Sequence, residues 1–539
     1  MKEEQKGPDG ERDLLERARL LVGKLLSLLQ LKGLAKDVVV IAAATAVSRV
    51  FGLFRDIVIA DRFGASGAYD AYLIAFFVPH FLRRLLAEGA LALSFIPVYT
   101  EYLKKDRREA AAMASNALNL LVLVFPLVIG LGVYLAPHFI PFLASGFPPE
   151  RRQLAVSLTR VVFPFIGAVG LAALVMGVLN AKKHFFAPAF APVFFNVGVI
   201  CGALFLGRLF SRPIFGLAIG VPLGGLGQLF FQLPFLKRYG FRWEPRIFPL
   251  HPGLKKALRM MGPVVVGLVA AQINVLVDNK LASHLHPGSI SSLQYAMRLF
   301  QLPLGLFSVA ISTAILPRLS ERQAEGRAKE FSEVLRDGLE LSLFILLPAA
   351  VGLFLLGRPI VELLFEHNNF TGGDTLRTVS VLNLYLIGLL GYSLVQLLTR
   401  GFYSLQDTLT PVLVSLLAVG VNVGLDLALI GPLGVRGLAL ATATAGLVNG
   451  GALLVAFRYR FRAGGFLPAL PLAARILLGV SGMGGMVFFS HKLAETLPLP
   501  AEEFLTLLIP LSVGVGSYFA LSHLLGMDDL IWKVRDLGD

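Results

Sequence analysis

Hydrophobic positions in this chain fall into long blocks, and most polar positions are gathered in the short stretches between them. A helix needs about 20 predominantly apolar residues to cross a bilayer. Blocks of that order lie at 38–62, 68–103, 112–143, 153–181, 188–207, 213–236, 258–284, 289–317, 332–356, 373–402, 409–430, 434–457, 467–491 and 503–526. They predict an all-α polytopic membrane protein with fourteen transmembrane helices. The block 68–103 is too long for one straight crossing and contains Pro79 and Pro97, so a bend is expected there. The segment GRPIVELLFEH (357–367) is too short to cross and is expected along the surface. The ten-residue alternation of an outer-membrane barrel is missing from the sequence.

The polar stretches orient these blocks. KKDRR (104–108), KKH (182–184), KRYGFRWEPR (237–246) with KKALR (255–259), RLSERQAEGRAK (318–329) and RYRFR (458–462) follow alternate spans. The loops between, such as HLHPGS (284–289) and HNNFTGGD (367–374), are far poorer in lysine and arginine. Basic loops stay in the cytoplasm, so both termini are expected there, in a multi-pass membrane protein. Composition agrees: 55% of residues are hydrophobic and 16% charged, against about 25% charged in a soluble domain. The net charge of +14 could suggest nucleic acid, but cytoplasmic basic loops account for it and no nucleic-acid partner is expected. Cys201 is the single cysteine, which leaves no intrachain disulfide or zinc site. Residues 1–37 open with mixed charge and do not read as a secretory signal; an interfacial helix on the cytoplasmic side is expected instead.

The chain also repeats itself. FIPVYTEYLKKDRREAAAM (95–113) is echoed by ILPRLSERQAEGRAKEFSE (315–333), and APVFFNVGV (191–199) by the stretch beginning TPVLV at Thr410, at offsets of 220 and 219. Six crossings separate the copies, so the repeat is parallel, about an axis along the membrane normal. Two pseudo-symmetric six-helix bundles, 38–236 and 258–457, are expected, joined by a cytoplasmic linker, 237–257. Two extra helices (467–526) and a cytoplasmic tail (527–539) follow. Transporters built from repeats place substrate near the midplane and alternate access by rocking one half against the other.

Charges within the blocks point to the chemistry. An ionised side chain at a helix centre costs about 2.5–3.5 kcal/mol on insertion scales. Arg49, Arg55 and Asp56 lie in the first block, Asp70, Arg83, Arg84 and Glu88 in the second, and Arg298 in the eighth. One reading has them near helix ends, snorkelling to headgroups. The other has the arginines lining a cavity for a phosphate-bearing ligand, because guanidinium is permanently charged and pairs with phosphate oxygens, while Asp70 and Glu88 orient them. A second constellation is rich in oxygen: Asn274 and Asp278 are four apart, as are Asn422 and Asp426, and Thr442 and Thr444 follow. It reads either as a sodium site or as polar contacts between helices. The P-loop, zinc H-E-x-x-H and G-x-S-x-G patterns are all missing, which argues against an ATPase or a motif-bearing hydrolase. His184, within KKH, reads as a loop or headgroup residue.

The segments SRVFGLFRD, FGASGAYDAYLIAFFVP and FLRRLLAEGALALSFIPVYTEY, then NAKKHFFAPAFAPVFFN (180–196) and GFYSLQDTLTP (401–411), resemble the MurJ (MviN) family of lipid II flippases, within the multidrug/oligosaccharidyl-lipid/polysaccharide (MOP) exporter superfamily. The likeness runs from about residue 38 to the last helix. It implies a non-enzymatic flippase for undecaprenyl-diphosphate-linked muropeptide in peptidoglycan biosynthesis. Family arginines proposed to hold the diphosphate fall on Arg49, Arg55, Arg83, Arg84 and Arg298, with acids at Asp70 and Glu88. The family's Asp-Arg pair on the eighth helix is Met297–Arg298 here, which leaves Arg298 without that neighbour. Some members bind sodium, which maps onto Asp278, Asn422, Asp426 and Thr442; no other cofactor is implied. A monomer is the expectation. The rival readings are another MOP-superfamily exporter, whether a polysaccharide-lipid flippase or a drug/cation antiporter, and a membrane scaffold without transport.

Overall fold

A computed structural model describes residues 34–85, 91–245, 247–270, 272–461, 467–496 and 502–530. Glu88 and most of the expected N-terminal extension and C-terminal tail lie outside them. No strand occurs among the described residues. In hydrocarbon a helix satisfies its own backbone groups, so long apolar blocks fold this way. In chain order the α-helices are α1 (Leu34–Phe63), α2 (Gly67–Arg83), α3 (Leu91–Lys105), α4 (Arg107–Leu143), α5 (Pro149–Val162), α6 (Phe165–Ala181), α7 (Phe186–Phe190), α8 (Pro192–Leu204), α9 (Ile214–Arg238) and α10 (Pro252–Ala270). They continue as α11 (Ile273–Ala282), α12 (Ser289–Pro303), α13 (Val309–Ala324), α14 (Ala328–Phe365), α15 (Gly372–Ile387), α16 (Leu389–Ser404), α17 (Leu409–Leu433), α18 (Val435–Phe461), α19 (Leu470–Thr496) and α20 (Glu502–Leu524).

Among the described residues, ten helical segments are long and apolar enough to cross a membrane, and an eleventh if α15 and α16, bent by 44° at Gly388, act as one span. These segments turn large hydrophobic side chains outward: Leu127 is 69% exposed and Phe489 73%. Water would not tolerate so much apolar surface, whereas lipid does. The expected crossings outside this set are 38–62, 68–103 and 258–284, which hold most of the candidate charged residues. At thirty residues, α1 is about 45 Å long, enough to cross despite its charges.

The chain divides into two compact units. Unit 1 comprises Met1–Asp56, Pro79–Val133 and Arg160–Leu268; unit 2 comprises Ile57–Val78, Tyr134–Thr159 and Val269–Asp539. Phe95, Tyr99, Met113, Leu174 and Val178 form the centre of unit 1. Its α8 and α9 meet glycine to glycine: a Cβ on Gly198 would lie 2.4 Å from Gly224 Cα, and one on Gly202 2.6 Å from the Gly216 carbonyl oxygen. Only glycine lets two helix backbones approach so closely. The stretch after α9 is pinned to α4, where Asn116 Nδ2 donates to Ile247 O (2.6 Å) and Asn119 Nδ2 to Glu244 O (2.6 Å).

Unit 2 has one core around Ile315, Leu335, Leu397 and Phe457, and a second where α14 packs against α19 and α20. In the second, the Tyr518 hydroxyl donates to Phe344 O at 2.8 Å. At one end of unit 2 the lysine- and arginine-poor loops are stitched together. Gly146 N donates to Ser283 Oγ (3.1 Å), Asn369 N to Asp61 O (3.2 Å), Asn369 Nδ2 to Arg62 O (2.8 Å) and Arg377 Nη1 to Pro287 O (3.2 Å).

Candidate substrate and ion sites

Within unit 1, α1 presents its arginines in two ways. Arg55 is held inward: Nε and Nη2 donate to Asp56 Oδ1 at 3.0 and 2.7 Å, and Nη1 donates to Asn196 Oδ1 at 3.0 Å. Asn196 Nδ2 in turn donates to Ser48 O at 3.2 Å, so the network ties α1 to α8. Asp56 largely neutralises Arg55, and both side chains are mostly covered, at 14% and 12% exposure. Arg49, two turns earlier on the Asp56 face, is exposed and makes no hydrogen bond or ion pair among the described residues. Arg84, just past the end of α2, is likewise exposed and unpartnered there; its neighbour Arg83 is half-buried and engaged. Asn196 was not among the expected residues. A lone amide inside the apolar run PVFFNVGVICGAL was the signal that could have found it.

In unit 2, Asp70 is buried at 2% exposure and its carboxylate meets the start of α12. Oδ2 accepts from Gly288 N (2.6 Å), and Oδ1 accepts from Ser291 N (2.8 Å) and Ser291 Oγ (2.6 Å). A carboxylate against unsatisfied N–H groups at the positive end of a helix is a charge-assisted cap. Asp70 therefore anchors the loop stitching from the first turn of α2. Arg298, on the same α12, is exposed to its surroundings and engaged in interactions of its own.

Of the oxygen-rich constellation, two carboxylates meet in unit 2. Asp278 on α11 and Asp426 on α17 bring their carboxyl groups within reach of one another. Asn422 and Asp426 are both fully buried, at 0% exposure. Asn274 Oδ1, Asp278 Oδ1, Asn422 Oδ1 and both Asp426 oxygens are buried without a hydrogen-bond partner. Thr442 on α18 gives its hydroxyl proton to Leu438 O (3.0 Å), leaving the oxygen as an acceptor, and Thr444 does the same to Leu440 O (2.8 Å). Buried acceptors left unmatched are costly, and a set of carboxylate and amide oxygens suits a hard cation. Among the described residues no cluster of three His, Cys, Asp or Glu side chains is arranged for a metal.

The profile of the family described as "Lipid II flippase MurJ" matches residues 59–507. The chain belongs to the MurJ family of lipid II flippases. A relative from Vibrio cholerae described as "Probable lipid II flippase MurJ" is 35% identical over 523 residues, covering 94% of this chain and 98% of its own. One from Thermotoga maritima with the same description is 38% identical over 407 residues, covering 76% and 82%. Among solved structures, "Lipid II flippase MurJ, inward closed conformation" superposes with a TM-score of 0.78 at 30% identity, covering 91% of this chain and 99% of that one. An inward-facing MATE family transporter of the MOP superfamily aligns with a TM-score of 0.66 at 15% identity over 79% of this chain and 98% of its own, which shows the shared fold alone. As a MurJ-family member the chain is a multi-pass membrane transporter and not an enzyme.

Proposed function

We propose that the chain moves lipid II, an undecaprenyl-diphosphate-linked muropeptide, from the inner to the outer leaflet of the bacterial plasma membrane by alternating access, with Arg49 and Arg84 as its principal diphosphate ligands. The observation that carries this is the pair of guanidinium groups on unit 1 that have no partner among the described residues. An uncompensated arginine in a membrane-embedded helix is costly, and a dianionic diphosphate is the compensation its fork geometry fits. Arg55 sits in a different environment, already paired with Asp56 and Asn196, and acts as a positioning residue that fixes α1 against α8. Arg83 and Arg298 add positive charge on their own units. The loop stitching around Asp70 is the latch that must open for release on the outer side. In this reading the three charge-bearing segments cross the membrane as well as the eleven apolar ones, fourteen crossings in all, and the alternation of basic loops supports a cytoplasmic position for both termini.

The decisive measurement is rescue of cells depleted of their own lipid II flippase, with labelling of outward-facing lipid II headgroups. Arg49→Ala and Arg84→Ala, expressed at normal levels, should each lower headgroup labelling about tenfold or more, matching loss of a charge-assisted contact of about 1.5–3 kcal/mol. Full rescue by both variants would overturn the assignment.

Asp278, Asn422, Asp426 and Thr442, with Asn274 beside them, would hold a sodium ion. A bound sodium would supply charge coupled to the membrane potential, about 2.3 kcal/mol per charge for 100 mV. Sodium should raise the melting temperature of the detergent-purified wild type relative to potassium, and Asp426→Asn should remove that difference. An equal response in wild type and variant would exclude the site.

A further inference from the structure

The basic end of unit 1 contains a cavity that neither the arginine set nor the oxygen cluster uses. Its volume is about 410 Å³, and Leu103, Arg107, Lys182, Lys183, Tyr239 and Gly240 are among the residues lining it. Three of those are cations, and among the described residues no acidic side chain lines the cavity. Asp106, next to Arg107 in sequence, is engaged elsewhere, accepting from Arg108 N at 2.7 Å to cap α4. Lys182 Nζ donates to Tyr239 O at 2.7 Å, which fixes one wall. Arg107 and Lys183 make no ion pair or side-chain hydrogen bond among the described residues.

Repulsion supports the same picture. Burial and the nearby Arg107 charge push the Lys182 ammonium below its ordinary pKa, so the cavity is crowded with positive charge. His184 borders it. Its Nε2 accepts from Ala187 N (3.4 Å), which leaves the proton on Nδ1, facing the Tyr239 hydroxyl at 3.0 Å. Burial and Arg238 lower the pKa of His184, so the ring stays neutral and does not compete with the cations as a further charge. Lys183 is held in the left-handed region, at φ 60°, by the turn that ends α6. Its side chain is thus placed by the backbone rather than by a partner.

We propose that this cavity binds a phosphate group, with Arg107 and Lys183 as its ligands and the half-buried Lys182 as a third cation beside them. Two sources share this chemistry: the headgroup of an anionic phospholipid at the membrane surface, and a soluble phosphate. The site is separate from the proposed lipid II ligands Arg49 and Arg84, and its test does not depend on flipping.

The test uses the full-length protein. Phosphatidylglycerol is titrated into nanodiscs of phosphatidylcholine and retained lipid is counted by native mass spectrometry; in parallel, labelled inorganic phosphate is dialysed against protein in detergent. Each surface cation removed should weaken binding about fivefold, so Arg107→Gln with Lys183→Gln should lose about 25-fold. Loss in the lipid arm assigns a headgroup, and loss in the dialysis arm assigns a soluble phosphate. Charge-conserving Arg107→Lys with Lys183→Arg should restore most of the binding, which guards against misfolding as the cause. A control with Arg318→Gln and Lys329→Gln removes equal charge from unit 2. Equal loss in this control, or no loss in the cavity variant in either arm, would overturn the proposal.

Discussion

The turn after α6 in unit 1 and the turn after α16 in unit 2 share a backbone and differ in charge. In the first, His184 N bonds to Leu179 O at 2.9 Å, with Lys183 at φ 60°; in the second, Asp407 N bonds to Phe402 O at 2.9 Å, with Gln406 at φ 60°. The side chain after each left-handed residue then caps the helix that follows: His184 Nε2 accepts from Ala187 N, and Asp407 Oδ1 accepts from Thr410 N at 3.0 Å. Each also reaches the end of the next-but-one long helix, His184 to Tyr239 and Asp407 to Arg460 (2.8 Å). In unit 2 the arginine meets a carboxylate and the corner is neutral. Unit 1 has histidine where the acid stands, so its cations stay unmatched. The two turns share one stop signal in the backbone and differ in their electrostatics.

The sharpest way to break this equivalence is to remove the two caps. Asp407→Ala loses the bonds to Thr410 N and Thr410 Oγ1 (2.8 Å) and the Arg460 pair, and should cost about 2 kcal/mol in reversible denaturation. His184→Ala loses the long bond from Ala187 N, the bond to the Tyr239 hydroxyl and the ring contacts with Phe235 and Tyr239, none of them charged, and should cost about 1 kcal/mol. Equal losses would mean that the corners are not doing different jobs.

Acid separates them next. The folded pKa of His184 is depressed, so its contribution is present above the ordinary histidine value of 6.5 and declines as pH falls below it. Burial raises the Asp407 carboxyl, but its bonds to Thr410 and the Arg460 charge outweigh that and lower it. Its contribution therefore holds until pH falls below the ordinary aspartate value of 3.8. Hydrogen exchange should show residues 182–190 loosening on going from about pH 7.5 to about pH 5.5 while 405–411 remain protected.

The smallest effect tests the shared backbone. Lys183→Gly and Gln406→Gly relieve the same left-handed strain and should each stabilise by about 0.5–1 kcal/mol in thermal denaturation. Only the first should also weaken phosphate binding.

Long apolar runs made the crossing helices legible, because hydrophobicity alone selects them. Segments 38–62, 68–103 and 258–284 were harder to read, since their charges oppose that signal and their meaning depends on distant partners. Asp70 caps a helix 218 positions away and Arg55 meets Asn196 across 141. No local spacing encodes such pairs. Asp278 and Asp426 were readable as a candidate pair because each has an amide four residues before it on one helix face. Lys182 and His184 were passed over as ordinary loop residues, since a cavity formed by three separated stretches leaves no continuous motif.

The glycine contacts of α8 and α9 bear on how unit 1 transmits force. Elastic side chains normally separate helices and absorb displacement; here Gly198 faces Gly224 and Gly202 faces Gly216 and Gly220 with almost nothing between the backbones. Such a pair behaves as a single stiff beam, and a torque applied at one end should emerge at the other with little loss. A lone added methyl, as in Gly202→Ala, would act as a wedge in that beam.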